Sequence, residues 1–192
     1  MPYTTRHTML QQMREGDERA WFVFRDFYSP LIATRGRDYR LSADEIEQLI
    51  QNVLLAVYQE RVLTNYDRSR GRFRDYLRTI TSRQAARLIA QRPGETRVGI
   101  EEGDAVEPGP DPKWEAEWRD FLTQKALEEL KATMDTRAYM AFDLHAIHGR
   151  PAAEVARLLD VSENQVYLAR SRGVARLQTI VKRLGDELGE GN

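Results

Sequence analysis

Between Arg92 and Pro112 the chain carries four prolines, four glycines and a surplus of carboxylates, and this stretch constrains the fold more than any other. Proline removes a backbone donor and clashes with the preceding turn, and glycine loses the most freedom when ordered. A segment this polar and interrupted supports neither a helix nor a core. Residues from about 93 to 113 therefore read as an acidic interdomain linker. The chain divides into an N-terminal module, 1–92, a linker region, 93–118, and a C-terminal module, 119–192.

Charge sharpens the division. The first part holds 16 basic and 11 acidic side chains, the second 2 and 8, the third 11 and 11. The overall −1 thus hides a basic head and an acidic middle. Cysteine is absent, which removes disulfides and thiolate chemistry and fits a reducing cytoplasm. His7, His145 and His148 are too few for a histidine-built metal centre. No apolar run approaches the ~18 residues of a membrane span, and Met1 to Leu10 lacks the pattern of a secretory signal, so no membrane insertion is expected.

Both modules read as helix, an all-α architecture. Ser42 with Glu45 forms a capping box, with Leu41 stapled to Ile46. Apolar residues then recur at Ile46, Leu49, Ile50, Val53, Leu54, Val57 and Tyr58, spacing that paints one helical face. An earlier helix, about 8–34, supplies Trp21, Phe24, Phe27, Tyr28 and Leu31. A later one from Phe73 turns Tyr76, Leu77 and Ile80 inward and its arginines outward. In the C-terminal module Asp135 caps a helix, Gly149 stops one, and Pro151 opens a short helix to about 160. Ser162 with Gln165 repeats the capping box, starting a longer helix from 163 to about 184.

Three constellations can carry function. The strongest is the helix–turn–helix of 151–184. Val155, Ala156, Leu158, Leu159, Val161, Val166 and Leu177 lock its helices, while Asn164, Gln165, Tyr167, Leu168, Arg170, Ser171, Arg172 and Arg176 face outward. Asn, Gln and Arg offer the paired donors and acceptors that match base edges, which favours duplex DNA over a merely solvated face. The second is 66–92, where Arg68, Arg70, Arg72, Arg74, Arg78, Arg83, Arg87 and Arg92 interleave with Tyr66, Phe73 and Tyr76. Such a surface suits unstacked bases, and a solvated arginine face over core aromatics fits equally well. The third is the polar face of 44–58, with Asp44, Glu45, Glu47, Gln48, Gln51 and Asn52, which reads as a solvated or protein-binding surface.

Taken in order, these segments resemble the extracytoplasmic-function sigma factors of the sigma-70 family, over about 8 to 180. Asp44 to Leu54 is similar to the family's helix that docks on the clamp of the polymerase largest subunit, which implies polymerase contacts by Asp44, Glu47, Gln48, Gln51 and Asn52. Asn65 to Leu77 looks like its element for melting and reading the minus-ten region. That implies minus-ten contacts by Arg68, Arg70, Arg72, Arg74, Tyr76, Arg78, Arg83 and Arg87. Val161 to Arg172 resembles the recognition helix for the minus-thirty-five element, implying base and phosphate contacts by Asn164, Gln165, Tyr167, Leu168, Arg170, Ser171, Arg172 and Arg176. The modules would then be region 2 (three to four helices) and region 4.

The resemblance implies a cytoplasmic protein without cofactor or catalytic chemistry. Its partners would be core polymerase (clamp and flap), promoter DNA and an anti-sigma factor or other regulator, with the linker entering the polymerase channel. Gln48 and Asn52 replace acids common in the family; Arg83 and Arg87 replace Asn and Asp, and Ala169 replaces arginine. The main rival is a polymerase-independent helix–turn–helix regulator. An enzyme with a helical carboxylate site lacks a base or metal ligand, and a pure adaptor leaves the arginines unexplained.

Overall fold

The computed structural model of the chain describes residues 9, 12–13, 15–59, 72–92 and 111–188. Every regular element among them is helical: α1 (Glu18–Asp38), α2 (Ala43–Gln59), α3 (Phe73–Ala90), α4 (Pro112–Thr133), α5 (Thr136–Phe142), α6 (Ala152–Leu159) and α7 (Glu163–Glu187), with a π-turn at Asp143–Ile147 extending α5. The chain forms two compact units, one reaching to Trp118 and including Glu187 and Leu188, the other Arg119–Asp186.

In the first unit the expected helix at 8–34 is divided. Gly16 adopts a φ of +85°, Asp17 caps by accepting from the amide of Arg19, and α1 then runs on to Asp38. α2 begins with the capping box read in the sequence: the Ser42 amide donates to Glu45 at 2.7 Å and the Glu45 amide to the Ser42 hydroxyl at 3.3 Å. Phe24, Tyr28 and Phe73 meet at ring separations of 4.7 to 5.9 Å, joining α1 to α3. Leu31, Ile32, Leu49, Val53, Leu77 and Ile80 complete the buried core of the unit. Tyr58, expected inward, is 67% exposed and meets Trp21 edge-on instead.

Residues 112–118, expected within the linker, are the first two turns of α4. Asp111 accepts from the Lys113 and Trp114 amides at 3.1 and 3.0 Å, so Pro112 occupies the first helical position, where its missing amide costs nothing. Trp114 and Trp118 are fully buried, and burial of two indoles outweighs the helix-opposing character of the prolines that precede them. The rest of the linker, 93–110, lies outside the described residues.

In the second unit, Asp135 caps α5 through the Ala138 amide, and Gly149, at φ +68°, ends the helical run as expected. Pro151 is the cap of α6 rather than its first residue. Asp160 closes α6 in the left-handed region at φ 51°, a conformation Asp tolerates better than most side chains. Ser162 and Gln165 then form the second capping box: the Ser162 amide donates to the Gln165 carbonyl oxygen at 2.8 Å, and the Gln165 amide to the Ser162 hydroxyl at 3.2 Å.

Candidate nucleic-acid interface

The turn between α6 and α7 is fixed by a small apolar cluster. Ala141, Ala152, Val155, Ala156, Val166 and Ala169 are buried together, with Leu144, Leu159 and Val161 packed against them. Leu158, expected among these contacts, is 61% exposed. Small side chains at 152, 156 and 169 let the backbones approach closely. Farther along α7, a Cβ on Gly173 would clash with the ring edge of Phe142, which is itself fully buried. Glycine is required there by contact, not by backbone conformation.

Helical geometry does the rest. Val166, Ala169, Gly173 and Ile180 form one buried strip on α7, spaced three, four and seven residues apart. Asn164, Leu168 and Ser171 lie on the opposite side, with Tyr167 and Arg170 along one flank and Gln165, Arg172 and Arg176 along the other; all eight side chains are exposed. Tyr167 (50% exposed) and Leu168 (43%) are apolar surface amid polar groups, suited to methyl groups in a groove. The His145 ring meets Tyr167 edge to face at 5.5 Å, and its Nδ1 lies 2.7 Å from the Arg150 carbonyl oxygen. Gln165 carries a constraint that motif reading overlooked. Its carbonyl oxygen is engaged in the cap, so a bidentate grip on adenine would have to break that cap.

The arginines of α3 divide. Arg72, Arg83 and Arg87 are exposed, and Tyr76, half-buried, lies in the same row. Arg74 and Arg78, expected outward, are buried at 5% and 6% exposure. Arg74 donates to Glu115 at 2.9 Å with its guanidinium 5.9 Å from the Trp118 ring centre. Phosphate contacts require accessible cations, so Arg74 and Arg78 belong to the packing of the unit and not to a DNA surface. Arg68 and Arg70 lie outside the described residues. Arg92, read with this group, turns instead to α2: its guanidinium donates to both Glu45 oxygens at 2.7 and 2.8 Å and to the Arg40 carbonyl at 3.1 Å. That grip, aided by the capping box, holds the Glu45 carboxyl at a pKa of about 2.

On α2, Asp44, Glu47, Gln48 and Gln51 are exposed and Asn52 is half-buried. Asp44, Gln48 and Gln51 continue at three- and four-residue spacing into Leu55 (51% exposed) and Tyr58 (67%), making one uncovered row. Apolar spacing alone assigns Tyr58 to the core face and does not single out Leu55.

His148 approaches the Asp143 carbonyl oxygen at 3.1 Å, and among the described residues no three or more of His, Asp and Glu gather as a metal would require. Nor is any described helix long and apolar enough to cross a membrane. Residues 124–177 match the family model described as Sigma-70, region 4. No curated protein matches the chain.

Proposed function

We propose that this chain, whose residues 124–177 match region 4 of the sigma-70 family, is a sigma factor that directs core RNA polymerase to specific promoters and helps to melt them, in the manner of an extracytoplasmic-function sigma factor. The observation that carries the reading is α7. Eight outward side chains of DNA-matching chemistry stand on one helix, backed by a strip that fixes their orientation, within the matched residues. Asn164, Leu168 and Ser171 face the floor of the major groove. Arg170 on one flank and Arg172 with Arg176 on the other reach base edges or phosphates.

The first unit takes the other two tasks. The α2 row of Asp44, Gln48, Gln51, Leu55 and Tyr58, with Glu47 and Asn52 beside it, is the proposed polymerase contact. A mixed polar and aromatic strip suits a protein partner better than a charged one would. Neutral Gln48 and Asn52 shift that contact from charge pairing toward packing. Arg72, Tyr76, Arg83 and Arg87 form the proposed surface for the opened minus-ten strand, cations setting the backbone and the ring receiving an unstacked base. The chemistry is binding and strand separation; no bond is made or broken by the chain.

Run-off transcription on genomic fragments with core polymerase and the purified chain tests this directly. Initiation at defined sites only when the chain is present is the expected result. Sequence-specific duplex binding without any association with core polymerase would replace this reading with a polymerase-independent regulator.

A further inference from the structure

We infer that Asp38 and Glu117 hold one proton between them, and that this proton governs how firmly residues 111–118 stay docked within the first unit, the segment loosening as pH rises toward neutrality. The inference concerns the packing of that unit alone and stands apart from the promoter reading.

The charges form two groups. Arg74 of α3 lies between Glu115, at 2.9 Å, and its neighbour Asp75, at 3.9 Å. The other group centres on Arg35 of α1, which reaches Asp111 at 2.7 Å, Glu117 at 3.7 Å and Asp38 at 3.9 Å, while Lys113 reaches Asp38 at 2.7 Å. Around Arg35, then, three carboxyl groups face two cations, and a single proton brings the cluster to neutrality. Its position follows from burial. The Glu117 side chain is only 9% exposed, and neither of its oxygens meets a donor at hydrogen-bond distance. A buried carboxylate without donors is costly, whereas a carboxylic acid can donate its O–H to Asp38, which stays ionised beside Lys113 and Arg35.

Burial, reinforced by the neighbouring Asp38, pushes Glu117 up to about 7. Asp38 moves the other way: burial would raise it, but the Glu117 hydroxyl, Lys113 and Arg35 together hold it below its ordinary value. The sign follows. Glu117 released from the cluster titrates near 4.5, so between there and about 7 the docked form binds the extra proton. Docking is strongest below that window, falls through it by up to about tenfold per pH unit, and falls no further above it. The depressed Asp38 acts only in more acidic solution, outside this window. Loosening uncovers Trp114 and Trp118 and frees Arg74 from Glu115.

Hydrogen exchange of the intact chain, read on peptides covering 112–118 and corrected for intrinsic rates, measures the opening. From pH 5.5 to 7.5 protection should fall by roughly 20-fold in the wild type and stay level in Glu117→Gln, which keeps a neutral donor at all pH values. Asp38→Asn, which removes the charged acceptor but leaves Glu117 buried, should make the profile shallower than wild type and serves if Glu117→Gln does not fold. Unchanged protection in the wild type would overturn the inference. So would a wild-type slope persisting in either folded variant, since the proton would then reside elsewhere.

Discussion

α3 and α7 are both arginine-rich helices, and they use their arginines in opposite ways. α7 buries one strip and turns Arg170, Arg172 and Arg176 to the surface, with Arg183 farther along paired to Glu129 of α4. α3 buries Phe73, Arg74, Leu77, Arg78, Ile80, Thr81, Ser82, Gln84, Ala85 and Leu88, most of its circumference, and polar side chains are drawn in with the apolar ones. The cause lies outside the helix. The start of α4 brings Glu115 and Trp118 to Arg74, giving the guanidinium a counter-charge and a ring face in place of water. An arginine therefore marks a nucleic-acid surface only where no other element supplies its partner.

The heaviest blow to that comparison would come through Trp118. Removing a fully buried indole leaves a cavity and strips Arg74 of its ring, so Trp118→Ala should cost about 3–5 kcal/mol in chemical denaturation. A loss under ~1 kcal/mol would mean that residues 112–118 are not part of the core.

A finer cut sets two arginines against each other. Arg74→Ala removes a charged hydrogen bond from a buried site and should lower stability by about 1.5–3 kcal/mol. Arg170→Ala should leave stability within about 0.5 kcal/mol. It should weaken binding to a cognate promoter by about 1–3 kcal/mol, with less effect on random DNA. Paired denaturation and binding titrations decide the matter, and an exchange of the two phenotypes would refute the division. Gln165→Ala is a less clean probe, because it also removes the acceptor for the Ser162 amide.

The strip beneath α7 can be tested without DNA. Alanine is intrinsically better than glycine inside a helix by up to about 1 kcal/mol. At position 173 the added methyl meets the Phe142 ring, and overpacking costs about 1–3 kcal/mol, so Gly173→Ala should be destabilising on balance. A rise in melting temperature would show that the ring yields and that the strip does not fix the helix.

These contrasts also explain what the sequence made legible. Both capping boxes, the Asp135 cap and the Gly149 stop are local: donor, acceptor and turn lie within a few residues, and each forms as its spacing predicts. The outward row of α7 was legible for the same reason, since one strip of apolar residues defines its opposite. The burial of Arg74 and Arg78 was not, because the residues that cover Arg74 come some forty positions later, beyond a proline- and glycine-rich stretch. Tyr58 failed differently. Its position sits at the border of the apolar face, where periodicity alone decides nothing, and its ring turned to Trp21 at the surface.

The smallest expected effect concerns Arg92, the arginine at the far end of α3 that neither helix comparison has placed. Its guanidinium spans both oxygens of Glu45, and with the Ser42 cap this holds the carboxyl down to about 2, against an ordinary 4.5. A depressed acid contributes stability that is fully present above its ordinary value and is lost as pH falls through the depressed one. Glu45→Gln keeps an acceptor for the Ser42 amide but removes the charge, so it isolates the pair from the cap. Its melting temperature should fall slightly below wild type at neutral pH, and the difference should shrink as the solution is taken from pH 4.5 toward 2. A gap that stays constant over that range would assign the contribution to the capping box alone.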